Sequence, residues 1–87
     1  MKLKYKFLTQ SVPEGYIAIT TEEDADKFHG IVRMNKTGME IFDMLSSDQT
    51  EDSIVAALRE KYADDDNMIP GAVHKFMEYL KEEGILE

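Results

Sequence analysis

Leu3, Tyr5 and Phe7 alternate with Lys2, Lys4 and Lys6 at the start of the chain, the period-two pattern of a strand with one buried face. A first strand is predicted over about 3–11. Val12-Pro13-Glu14-Gly15 reads as a turn, with Pro13 fixing φ at one corner and Gly15 free to take positive φ. Tyr16-Ile17-Ala18-Ile19-Thr20 is the second strand, about 16–20. Residues 21–27, with four acids, form a connection without an apolar face. A third strand over about 28–34 places Phe28, Val32 and Met34 on one face and His29, Ile31 and Arg33 on the other. With such short connections, a three-stranded antiparallel meander is the simplest arrangement.

The period then changes. Gly38, Ile41, Phe42 and Leu45 fall at helical spacing, so a first helix is predicted over about 36–46, capped by a side-chain oxygen of Asn35 or Thr37. Thr50 is the N-cap of a second helix over about 51–62, with Glu51 and Asp52 at the positive end of its dipole. Ile54, Val55, Leu58, Lys61 and Tyr62 mark its inward side. A third helix covers about 67–83. Either Asp66 caps it with Pro70 inside the first turn, or it begins at Pro70. Gly84 terminates it, and Ile85 and Leu86 are expected to fold back.

On the third helix, Ile69, Val73, Phe76, Met77 and Leu80 form a core stripe, which Ala72 and Tyr79 extend on the Phe76 side. Tyr79 reads in two ways, as a ring resting at the core margin or as one wall of a groove with Ala72 and Phe76. The expected architecture is α+β, a three-stranded antiparallel sheet followed by three helices, as one domain over 1–87.

Charge excludes some partners. The net charge is −8, with six Lys/Arg against seven Asp/Glu in residues 1–45 and four against eleven in residues 46–87. Nucleic-acid affinity rests on phosphate neutralisation by Lys and Arg, so an acidic helical half weighs against DNA or RNA, and against anionic membranes. There are no cysteines, which excludes disulfides, thiolate metal sites and a cysteine nucleophile. No apolar run approaches the ~18 residues of a membrane span, and the alternating N-terminus is unlike a signal sequence. A cytoplasmic location is expected.

No catalytic chemistry is legible. His29 and His74 lie 45 positions apart and show no ligand spacing. Asp64-Asp65-Asp66-Asn67 lacks the alternation of a calcium loop and reads as a solvated turn before a helix. Ser46 and Ser47 have no local activating base. The expectation is a protein that is not an enzyme and has no metal or cofactor. The six methionines are first core fillers, with Met39 and Met44 the more outward candidates for a partner contact.

The string Met34 to Leu45 resembles the N-x-T/S-G-x-x-I/L-aromatic-x-x-L signature of the pyrroloquinoline quinone biosynthesis protein D (PqqD) family, through Asn35, Thr37, Gly38, Ile41, Phe42 and Leu45. Phe42 stands where Trp is frequent. Further matching features are Ile54-Val55 with Leu58, Lys61-Tyr62, and the closing Phe76 to Leu86 pattern. The resemblance implies a winged-helix-like fold known as the RiPP recognition element, which binds the leader segment of a ribosomally made precursor peptide and presents it to a modifying enzyme, often a radical SAM enzyme. It implies that the leader adds as a strand at Ile31, Val32, Arg33 and Met34 and lies against Ala72, Lys75, Phe76 and Tyr79. The rivals are a winged-helix nucleic-acid-binding regulator and a generic acidic protein-interaction domain. Against the first, residues 67–83 carry two Lys and three Glu.

Overall fold

The computed structural model describes residues 1–87 in the order β1 (Phe7–Val12), β2 (Gly15–Thr20), a 3-10 turn (Glu22–Asp24), β3 (Val32–Met34), α1 (Lys36–Met44), α2 (Glu51–Lys61) and α3 (Ile69–Glu82). The sheet is antiparallel in the order β1-β2-β3. Val12 pairs with Gly15 across the two-residue turn Pro13-Glu14, and Gly15 has φ +140°, a value that side-chain-bearing residues rarely adopt. Register then places Tyr16 opposite Met34 and Ala18 opposite Val32, so Ala18, Val32 and Met34 face the helices and are buried. Ile41, Phe42, Leu45, Ile54, Leu58, Val73, Met77 and Leu80 close over them.

Both outer strands are shorter than their patterns. The predicted first strand, 3–11, begins only at Phe7. Leu3 keeps its inward phase, but it bridges to Leu86, and Lys4 N–H donates to the Ile85 carbonyl at 2.8 Å. The N-terminal arm therefore pairs with the C-terminal tail, because β2 has six residues and all are matched by residues 7–12. The predicted third strand, 28–34, is reduced to Val32–Met34. Thr20 Oγ1 donates to the Phe28 carbonyl at 3.0 Å, and the Phe28 ring lies where a Cβ on Gly30 would come within 2.9 Å of it. The chain there folds over its own aromatic ring, which packs on Tyr5 and Phe7. Ile31 precedes the strand.

The helix ends follow capping chemistry. Asn35 Oδ1 accepts from Gly38 N–H at 2.8 Å and starts α1, and Thr50 with Ser53 makes a reciprocal capping box on α2. Two expectations are corrected. α3 is capped neither by Asp66 nor from Pro70. Asp64 Oδ1 accepts from Met68 N–H and Ile69 N–H at 2.7 and 3.1 Å, and Arg59 Nε holds its other oxygen at 3.0 Å. Pro70 sits in the first turn, where its missing N–H costs nothing. Lys61 and Tyr62, expected inward on the second helix, are exposed. Tyr62 is the C-cap rather than a helical residue, and both reach Glu40 on α1. Met39 and Met44 are the converse case, packed against the core. At the other end of α3, Gly84 has φ +74°, Gly84 N–H donates to the Lys81 carbonyl and Ile85 N–H to that of Leu80, a Schellman closure that turns Ile85 and Leu86 into the core.

Three carboxylates fasten this frame. Lys6 N–H donates to Asp24 Oδ2 at 2.8 Å and, with Lys27, holds that carboxyl below its usual range against the cost of desolvation. The Tyr62 hydroxyl donates to Glu40 at 2.6 Å, lowering Glu40 with help from Lys61 and raising its own pKa. For Asp64, desolvation pushes upward, but the Ile69 N–H, Arg59 and Met68 N–H outweigh it and the net direction is down. A carboxyl lowered by folding binds its proton more readily in the unfolded chain. Its stabilisation is therefore complete above the unfolded value near ~4 and is lost as pH falls through the folded value. The urea midpoint should be flat at neutral pH and fall between about pH 5 and about pH 3. A midpoint unchanged at the acid end would show that these bonds contribute no stability.

Candidate functional site

β3 ends the sheet, so its outer edge has no strand partner. Alongside it lies a cleft of about 470 Å³. Arg33, Met34 and Asn35 line one side, Thr37, Gly38 and Ile41 of α1 the floor, and Ala72, Lys75, Phe76 and Tyr79 of α3 the far wall. Six of the eight residues predicted from sequence thus converge: Arg33, Met34, Ala72, Lys75, Phe76 and Tyr79. The other two do not line the cleft. Val32 is 1% exposed, with its side chain in the core and its backbone paired to Ala18 of β2. Ile31 is 51% exposed just before the strand.

Phase explains the far wall. Val73, Met77 and Leu80 point into the core, while Phe76 and Tyr79 are half-buried with ring centroids 6.0 Å apart. Both readings of Tyr79 therefore hold, since its ring packs at the core margin and lines the cleft.

Asn35, Thr37, Gly38 and Ile41 also line the cleft, beyond the residues expected from the sequence. Gly38 carried the signal. A Cβ there would lie 3.0 Å from Met34 Cβ and 3.1 Å from the Phe76 ring, so glycine lets β3, α1 and α3 meet at one point. A helix-start pattern is read as local capping, and this use of the glycine depends on a helix about forty residues further on.

A second hollow of about 560 Å³ lies along the N-terminal arm. Its walls are mixed in charge and largely self-satisfied, with Lys2 paired to Glu87, Lys6 to Glu23 and Lys27 to Asp24. β1, the other edge strand of the sheet, contributes Phe7 and Thr9 to its wall. His74 Nδ1 lies 3.1 Å from a Glu51 carboxylate oxygen on α2, and no three His, Cys, Asp or Glu side chains are grouped to hold a metal ion. No helix is long and apolar enough to cross a membrane.

An open-edged three-stranded sheet, backed by three helices and flanked by an aromatic cleft, defines a small α+β binding domain. A family model described as coenzyme PQQ synthesis protein D (PqqD) matches residues 14–86, and the chain belongs to that family. Among solved structures, one titled as TbiB1 in complex with the TbiA(beta) leader peptide superposes with a TM-score of 0.72 at 16% identity, covering 100% of this chain and 95% of the other. That likeness shows the same fold at low identity. Curated proteins gave no match.

Proposed function

We propose that this protein captures the leader segment of a ribosomally made precursor peptide as an added strand on the β3 edge, against α3, and presents it to a modifying enzyme of the radical SAM class. One observation carries the reading: the unpaired edge of β3 runs beside an apolar cleft whose far wall is Phe76 and Tyr79. An unpaired edge offers a row of backbone donors and acceptors, and a neighbouring cleft takes alternate side chains of whatever pairs with it. Family membership and the likeness to TbiB1, a protein seen with a leader peptide, support this occupant. In this reading the protein contributes binding and orientation and no bond chemistry. It acts as one domain in the cytoplasm, without metal or cofactor.

Titrating 15N-labelled protein with the leader of a precursor encoded beside it should shift the amides of Ile31 to Met34 and of α3, because those groups gain new neighbours. Shifts confined to other surfaces would reject the site. Duplex DNA should leave the same amides unmoved at physiological salt, as expected for a chain of net charge −8.

A further inference from the structure

The protein has ten Lys and Arg residues and eighteen Asp and Glu. Lys2, Lys6, Lys27, Arg59, Lys61 and Lys81 are all in ion pairs with acids. The four cations left without an ion pair are Lys4, Arg33, Lys36 and Lys75. Arg33 and Lys75 line the cleft beside β3, and Lys36 lies between two residues that line it. No Asp or Glu lines it, and on the outer face of the sheet Arg33 shares a smaller hollow of about 270 Å³ with Glu14 without an ion pair between them. Three of the four cations without an ion pair thus lie at one apolar groove, and the fourth, Lys4, lines the hollow along the N-terminal arm.

Register gives that charge a position. Arg33 pairs with Ile17 and points to the sheet face away from the helices, as Ile31 does by alternation, whereas Val32 and Met34 face inward. A strand added at the β3 edge shares this alternation, and each of its residues lies on the face of the β3 residue opposite.

Resting on the peptide-binding reading above, we propose that the groove selects an acidic leader. It would present a carboxylate outward beside Arg33, with neighbours on either side that are apolar and turn inward to Phe76 and Tyr79. Opposite Ile31 a further apolar residue is favoured. In the direction of β3 from Ile31 to Met34 the ligand reads apolar, apolar, acidic, apolar, and in the reverse order if it runs antiparallel. Lys75, one helical turn before Tyr79, offers a second cation to a carboxylate flanking the inward residues.

The test is a display selection of random twelve-residue peptides on the full chain and, in parallel, on Arg33→Glu and Lys75→Glu. Wild-type protein should enrich Asp or Glu at one position flanked by apolar residues. Arg33→Glu should enrich Lys or Arg at that position. The best wild-type peptide, resynthesised with its acid changed to Lys, should lose affinity by about tenfold and regain it on Arg33→Glu, since one attraction becomes one repulsion. The difference should shrink at about 0.5 M salt. Apolar peptides enriched with no charge preference, or with the same preference on all three proteins, would overturn the charge selection and leave the groove as a peptide site. No enrichment on any of the three would overturn the peptide-binding reading, and this inference with it.

Discussion

Arg33→Pro should leave the protein folded and reduce leader-peptide binding to the limit of detection, whereas Val32→Pro should unfold it. The distinction comes from the direction of the backbone groups. The Met34 carbonyl points at β2, close enough that a Cβ on Gly15 would sit 2.8 Å from it. Successive residues of a strand turn their N–H and C=O groups to opposite edges, so Val32 and Met34 bond to β2 and Arg33 faces the open edge. Proline at Arg33 removes a donor that no neighbouring strand uses. A docked peptide would leave one carbonyl unsatisfied, a cost of about 1–3 kcal/mol before any clash with the ring. By itself that is about a 5- to 150-fold loss of affinity. Proline at Val32 breaks the β2–β3 ladder in a three-residue strand and empties a site that is 1% exposed, a loss of about 3 kcal/mol or more. Circular dichroism and isothermal titration of the two variants separate these outcomes. A folded Arg33→Pro protein with undiminished affinity would remove strand addition and leave a small acidic domain that binds through another surface.

The second large effect is on stability. Leu80 is fully buried, and Leu80→Ala should destabilise the fold by about 2–5 kcal/mol. That is a large share of the ~5–15 kcal/mol typical of a small domain. Its neighbour should behave in the opposite way. Tyr79→Ala removes a half-buried ring from the cleft wall and should weaken peptide binding by about 1–2 kcal/mol with little change in the urea midpoint. Urea titration and calorimetry on both variants give four numbers. If Tyr79→Ala unfolds the protein and Leu80→Ala only weakens binding, α3 is rotated by about one residue from the phase described.

Much of this was legible locally. The change from period two to period 3.6 near Met34 reflects which side chains share a face, and that depends only on neighbours a few residues away. The caps at Asn35 and Thr50, the turn at Gly15 and the stop at Gly84 are likewise chemistry within one turn of chain. So is the burial of Val73, Met77 and Leu80, since a helical stripe can be counted before its partner is known. Resemblance through the same stretch named the family and six of the residues that line the cleft.

Alternation, by contrast, shows which face of residues 3–6 is buried and says nothing of which backbone they pair with, and the tertiary fold joined Leu3 and Lys4 to Leu86 and Ile85, and Lys6 to Thr21 and Asp24. Three aspartates in a row offer three possible caps, and only the position of Arg59 and the path through Asn67 at φ +54° selected Asp64. Asp24, in a segment read as plain connection, was drawn to 8% exposure by the backbone N–H of a distant Lys6. The cleft belongs to this second kind of fact. Sequence by itself determined that Phe76 and Tyr79 lie on one side of a helix and that Gly38 stands in the first turn of another. Only the packing of α1 and α3 against β3 put an unpaired strand edge, two rings and unpaired cations around one groove, because backbone and charge partners are settled by which segments meet in space.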